Sequence, residues 1–173
     1  MATPEFILKL REKIGHDLLW LIGVTAYVED ADGRVLLGRR ADTGEWALVY
    51  GINEPGEQPA DTVVREIKEE TGIDAIVTDL VAVTSSNKVL TYANGDNTMY
   101  MDHSFLCALK PGGNAEPFVG DEESLSVGWF DLDDLPTPLA ASTSERLELF
   151  HTYIENKKHG DAHALFQFDG QQY

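Results

Sequence analysis

Cysteine is nearly absent from the chain. Cys107 is the single one among 173 residues, so no intrachain disulfide can form. It lies in the apolar run HSFLCALK, which reads as a buried strand with the thiol as a small core hydrophobe. Positive charge is scarce too: 13 Lys and Arg face 30 Asp and Glu, for a formal charge of −17. Such a surface repels phosphate backbones, so nucleic acid is not an expected partner. A small polyanionic substrate would need a local cationic device, either an Arg/Lys cluster or a metal ion. Long apolar runs are missing as well. The longest, LLWLIGV, is far too short to cross a bilayer. Lys9, Arg11, Glu12 and Lys13 interrupt any signal-peptide pattern near the start. These absences together predict a cytoplasmic, soluble protein with no membrane partner.

What is present suffices for a core: 43% of residues are hydrophobic and 9% aromatic. The length suits one domain with modest extensions. The predicted division is an N-terminal helical extension over residues 1–16, a main domain over 17–160 that includes a C-terminal helix, and a tail over 161–173. TPEFILKLREKIGH has helical apolar spacing at Phe6, Ile7, Leu10 and Ile14. LLWLIGVTAYVED and RVLLGRR, separated by DADG, predict a hairpin with Gly33 at positive φ. EWALVYG reads as one further strand. PADTVVREIKEETG reads as a helix, with Pro59 in its first turn and Gly72 as its stop. β-rich segments follow, then the acidic loop GDEES, the strand LSVGWF, and a last helix with Ser142 or Ser144 as N-cap. The tail has no clear pattern. The order β-β-β-α-β-β-β-α predicts an α/β class fold, a mixed-sheet sandwich.

One feature of the central helix is costly on its face. At about 100° per residue, Glu66, Glu69 and Glu70 share one arc, beside an apolar arc of Ala60, Val63, Val64 and Ile67. Like charges at this spacing repel. Arg65 can pair with Glu69, whereas Lys68 lies on the far side. Two readings stand at this point. The carboxylates form a solvated face, or they hold a hard cation such as Mg²⁺, which favours carboxylates together with substrate phosphates.

The stretch around the helix has a specific spacing. Gly51, Glu57, Arg65, Glu66, Glu69, Glu70 and Gly72 are set over 23 residues, with Ile67 and Ile73 in two aliphatic positions. This pattern resembles the signature of the Nudix hydrolases, and SVGWFDLDDLP resembles that family's late strand and turn. The resemblance implies an α/β/α sandwich that hydrolyses a diphosphate linkage in a nucleoside diphosphate derivative or nucleotide, with Mg²⁺ or Mn²⁺ as cofactor. It implies Glu69 and Glu70 as metal ligands, Glu66 as a ligand or the group that orients water, and the Tyr50 carbonyl as a further ligand. Arg65 and Glu57 would support the ligands as an ion pair, and Gly51 would let the backbone approach the metal.

The family often adds an acid outside this signature. GDEES offers Asp121, Glu122 and Glu123, and Glu123 is the first choice as general base or ligand. Arg39 and Arg40 are candidate phosphate contacts. Trp20, Tyr27 and Tyr92 could stack on a base, although single aromatics commonly belong to core or rim. Many relatives have Pro-Gly-Gly where this chain has Val49-Tyr50-Gly51, which bears on substrate preference. No nearby proline supports specificity for ADP-ribose. The alternative is a nucleotide-binding regulatory module without catalysis; a prenyl diphosphate isomerase would need a reactive group such as the single thiol. The terminal helices are available for a homodimer.

Overall fold

The computed structural model describes residues 3–173. Helix α1 (Glu5–Ile14) precedes the long strand β1 (Leu19–Glu29), followed by β2 (Val35–Arg40), β3 (Trp46–Ala47) and β4 (Val49–Ile52). Helix α2 (Pro59–Thr71) leads to β5 (Ala75–Ser85), β6 (Leu90–Thr91), β7 (Asn97–Leu109) and β8 (Ser124–Phe130). Helix α3 (Ala141–Lys158) and the small hairpin β9 (Gln167–Phe168) and β10 (Gln171–Gln172) close the chain. The hairpin gives the patternless tail a structure. Among the described residues no helix is long and apolar enough to cross a membrane.

The main sheet has eight strands, ordered β3-β2-β1-β7-β5, with β4 and β8 added to β1 and β2 and β6 added to β7. β1 and β7 run parallel at its centre, from Leu19↔Thr98 to Glu29↔Ala108, while the other pairs are antiparallel. β1 is buried without interruption from Gly23 to Val28, where both faces of the sheet are covered. Val24, Ala26, Val28, Phe105 and Cys107 pack with Val63 and Ile67 of α2. Alternate residues, including Tyr27, Val35, Leu37 and Val81, pack with Phe150 and Tyr153 of α3. This is the predicted sandwich, with Cys107 in its core and Gly33 at φ +81° in the β1–β2 turn.

Two local expectations are corrected. EWALVYG is split at Leu48, with β3 pairing to β2 and β4 to β1. The Leu48 amide leaves the ladder and donates to Thr143 Oγ1 of α3 at 3.2 Å. The α3 N-cap is Ala140, without a side-chain cap, rather than Ser142 or Ser144. The first-turn hydroxyls serve the sheet instead: Tyr50 Oη lies 2.7 Å from Thr143 Oγ1 and 3.3 Å from Ser142 Oγ.

Phe150 is fully buried and stacks at a tilt on Tyr27, with ring centroids 5.1 Å apart. Phe150→Ala is expected to destabilise the fold by about 3–5 kcal/mol, measured by urea denaturation.

Candidate active site

The site forms where α2 crosses β4. α2 begins with Pro59 at its first turn and ends at Gly72 in the left-handed region, φ +72°. Val63 and Ile67 fix which side of the helix meets the sheet, and that orientation carries Glu66 into the interface. Glu66 is 1% exposed, contrary to the expectation that it shares a charged stripe with Glu69 and Glu70. The partner position explains how it fits. A Cβ on Gly51 would lie 2.3 Å from Glu66 Cγ and 2.7 Å from its Oε1. Gly51 is therefore needed for space, because the carboxylate arm lies across its Cα.

Both Glu66 oxygens are buried without a hydrogen-bond partner. Arg65 Nη1 stands 2.9 Å from Glu66 Oε1, at ion-pair distance but out of hydrogen-bond alignment. Burial pushes the Glu66 carboxyl up to about 7, against the pull of Arg65. Glu70 is partly exposed, yet desolvation raises it to about 8, and the nearby Glu66 and Asp121 carboxylates add to the shift. An acidic pair so disfavoured in its ionised form is suited to a cation.

Arg65 organises the remaining acids. Its Nε and Nη2 donate to the two Glu57 oxygens at 2.9 and 3.0 Å, and its Nη1 donates to Glu69 Oε2 at 3.0 Å. The fork holds Glu57 down to about 2, helped by the Thr62 hydroxyl. Glu69 is thus turned toward Arg65. Among the described residues, no three His, Cys, Asp or Glu side chains already converge as a ligand set. The donor chemistry nonetheless fits a hard cation, because both buried Glu66 oxygens lack a hydrogen-bond donor, Arg65 faces only one of them, and Glu70 is close enough to feel their charge.

The acidic loop reaches the same end of α2. Gly120 donates its amide to the Glu70 carbonyl at 3.1 Å. The Glu123 amide donates to Asp121 Oδ1 at 2.9 Å, and the Glu123 carbonyl accepts from the Ala41 amide at 2.7 Å. Of the predicted arginines, Arg40 forms a bidentate pair with Asp42, at 2.9 and 2.6 Å, and also feels Glu70. Exposed Arg39 donates from Nε to the Gly44 carbonyl at 3.0 Å. Trp20 and Tyr92 are exposed, whereas Tyr27 is core.

Behind Tyr50, on the α3 face, lies a polar group that the sequence reading missed. The Arg146 guanidinium sits 4.9 Å from the centre of the Tyr50 ring. Its Nη2 is 3.5 Å from buried Asp102, which accepts from Thr25 and Ser104 hydroxyls at 2.9 Å. The unusual Tyr50 was the available signal, since a large ring before the signature glycine needs neighbours. Across the sheet from Gly51, in the row Gly51, Val24, His103, the His103 Nδ1 is another buried atom without a partner.

A mixed sheet between two helices, with a glutamate-bearing helix crossing a strand at a glycine, defines the class of α/β fold and site to which this chain belongs. The comparisons with known proteins narrow that class. Residues 20–151 match the NUDIX domain profile, and the chain belongs to the Nudix hydrolase family. It is 33% identical over 126 residues to a MutT-like protein of Streptomyces ambofaciens, covering 73% of each chain. It is 28% identical over 142 residues to an 8-oxo-dGDP phosphatase of Mus musculus, covering 81% of this chain but only 39% of that protein. Among solved structures it is similar to a UDP-X diphosphatase, with TM-score 0.64, 26% identity, and coverage of 88% of this chain and 71% of that one.

The buried carboxylate sets a pH dependence. Because the folded value of Glu66 is raised from the usual 4.5 to about 7, its contribution is intact below pH 4.5 and is lost as pH rises through 7. Metal-free Glu66→Gln should therefore match the wild type at pH 4 and exceed it by on the order of 3 kcal/mol at pH 8.5. Urea melts at the two pH values, with chelator present, check this.

Proposed function

We propose that the chain is a divalent-metal-dependent hydrolase of a phosphoric anhydride bond in a nucleoside diphosphate derivative or nucleotide. The observation that carries this reading is Glu66, buried against Gly51 with neither oxygen hydrogen-bonded, beside Glu70. Glu66, Glu69 and Glu70, with the Tyr50 carbonyl, would hold Mg²⁺ or Mn²⁺. When bound, such an ion neutralises phosphate oxygens and lowers the pKa of a coordinated water.

The chain's own groups do the rest. Arg65, anchored by Glu57, supports the carboxylates through a charge-assisted fork. Glu123, with Glu122 and Asp121 on the same loop, supplies the carboxylate that accepts the proton from water as general base. Arg39 and Arg40 line the approach as phosphate contacts, Arg40 by exchanging Asp42 for substrate. The relatives' names, 8-oxo-dGDP phosphatase and UDP-X diphosphatase, support a small nucleotide substrate. The charge of −17 favours that class over a nucleic acid.

Glu69→Gln and Glu70→Gln should each lower turnover at least about a hundredfold while retaining the wild-type circular dichroism. Excess chelator should abolish activity, and Glu123→Gln should slow kcat strongly. The assay is phosphate release from a panel of nucleoside triphosphates, sugar nucleotides, dinucleoside polyphosphates and ADP-ribose. Full activity of the Glu70 variant in chelator would refute the metal assignment.

A further inference from the structure

The last turn of α2 is an unfavourable place for two glutamates. A helix C-terminus is the negative end of its macrodipole, and its final carbonyls have no partner within the helix. Glu69 and Glu70 occupy that turn. Two backbone donors come from elsewhere in the chain: Phe118 donates its amide to the Thr71 carbonyl at 2.9 Å, and Gly120 donates to the Glu70 carbonyl at 3.1 Å. Alternate amides of one extended segment thus cap two successive carbonyls.

The fit is reciprocal and depends on two glycines. A Cβ on Gly120 would fall 1.9 Å from the Glu69 carbonyl oxygen, and a Cβ on Gly72 would fall 2.1 Å from the Phe118 ring. Each segment enters the space that the other's missing side chain leaves. Upstream, Asn114 donates from Nδ2 to the Gly72 carbonyl at 2.9 Å, and Trp129 Nε1 donates to the Ala115 carbonyl at 3.2 Å. Downstream, the Glu123 carbonyl accepts from Ala41, next to Arg40. The segment is therefore a strap. It runs from the end of the carboxylate helix to the end of the arginine strand.

We infer that the strap at Phe118–Gly120 is a positioning device for the metal site, with Gly120 setting the height at which Glu69 and Glu70 present their carboxylates. The inference rests on the proposed metal-dependent reading and adds to it a segment outside the family signature. Gly120 has no side chain with which to ligate an ion or bind a substrate. It acts through the backbone of the two glutamates, as groups behind a ligand shell do. Glycine at this position is selected by contact and not by φ, which lies in the ordinary range.

The test is Mn²⁺ binding, read by loss of the free-ion paramagnetic resonance signal. It uses the full-length wild type, Gly120→Ala, Phe118→Ala and Phe150→Leu, at a temperature where circular dichroism shows each folded. Gly120→Ala should weaken binding about tenfold, and Phe118→Ala by a smaller factor. Phe150→Leu, which softens the opposite face, should melt earlier and bind Mn²⁺ as the wild type does. Wild-type affinity in both strap variants overturns the inference, as does equal weakening in Phe150→Leu. Should Gly120→Ala not fold, wild-type affinity in folded Phe118→Ala is sufficient to overturn it. A wild type that binds no Mn²⁺ overturns the metal reading and the strap together; one that binds alongside unaffected strap variants overturns the strap alone.

Discussion

A carboxylate buried against a glycine is the constraint on which the site depends. Glu66 occupies a helix–sheet interface where an apolar side chain would ordinarily be favoured, and it makes no hydrogen bond there. Taking such a group from water costs several kcal/mol. The helix cannot avoid the cost by rotating, because Val63 and Ile67 hold its orientation. Nor can it move outward, because the contact with Gly51 closes the interface. Arg65 offsets part of the charge, but its fork is committed mainly to Glu57. The fold thus maintains an electrostatic deficit at one point, and the surrounding acids and strap are arranged about that point.

The central architecture was legible in the sequence, for physical reasons that can be named. Apolar alternation in β1 and helical spacing in α2 are dictated by burial on repeating faces, so they leave a periodic trace. The signature positions leave a trace because each meets one partner: Gly51 meets Glu66, Arg65 meets Glu57, and Gly72 takes the left-handed cap. The depth of Glu66 was not legible. A helical wheel places Glu66 in the middle of the acidic arc, between Glu69 and Glu70; only the absent side chain of Gly51 lets its carboxylate arm fold into the interface.

Long-range polar contacts escaped the sequence reading altogether. The split of EWALVYG follows from one amide donated to Thr143, which lies 95 residues away. Ser142, one of the residues expected to cap α3, instead meets Tyr50, and Arg146 reaches Asp102 on the sheet face that α3 covers. None of these has a period or a local motif. Tyr50 links the two faces: its ring and hydroxyl belong to the α3 side, and the next residue is the glycine under Glu66. The tyrosine in that position couples the shape of the α3 face to the Glu66 side through a single peptide unit.

The central claim is that the deficit at Glu66 is the seat of a divalent cation. Anomalous diffraction at the manganese edge, from crystals of this protein grown with Mn²⁺, measures it most directly. The account predicts a peak between the Glu66 and Glu70 carboxylates, beside Gly51. Well-ordered density for both glutamates with no anomalous peak there, or a peak only elsewhere on this acidic surface, would contradict it.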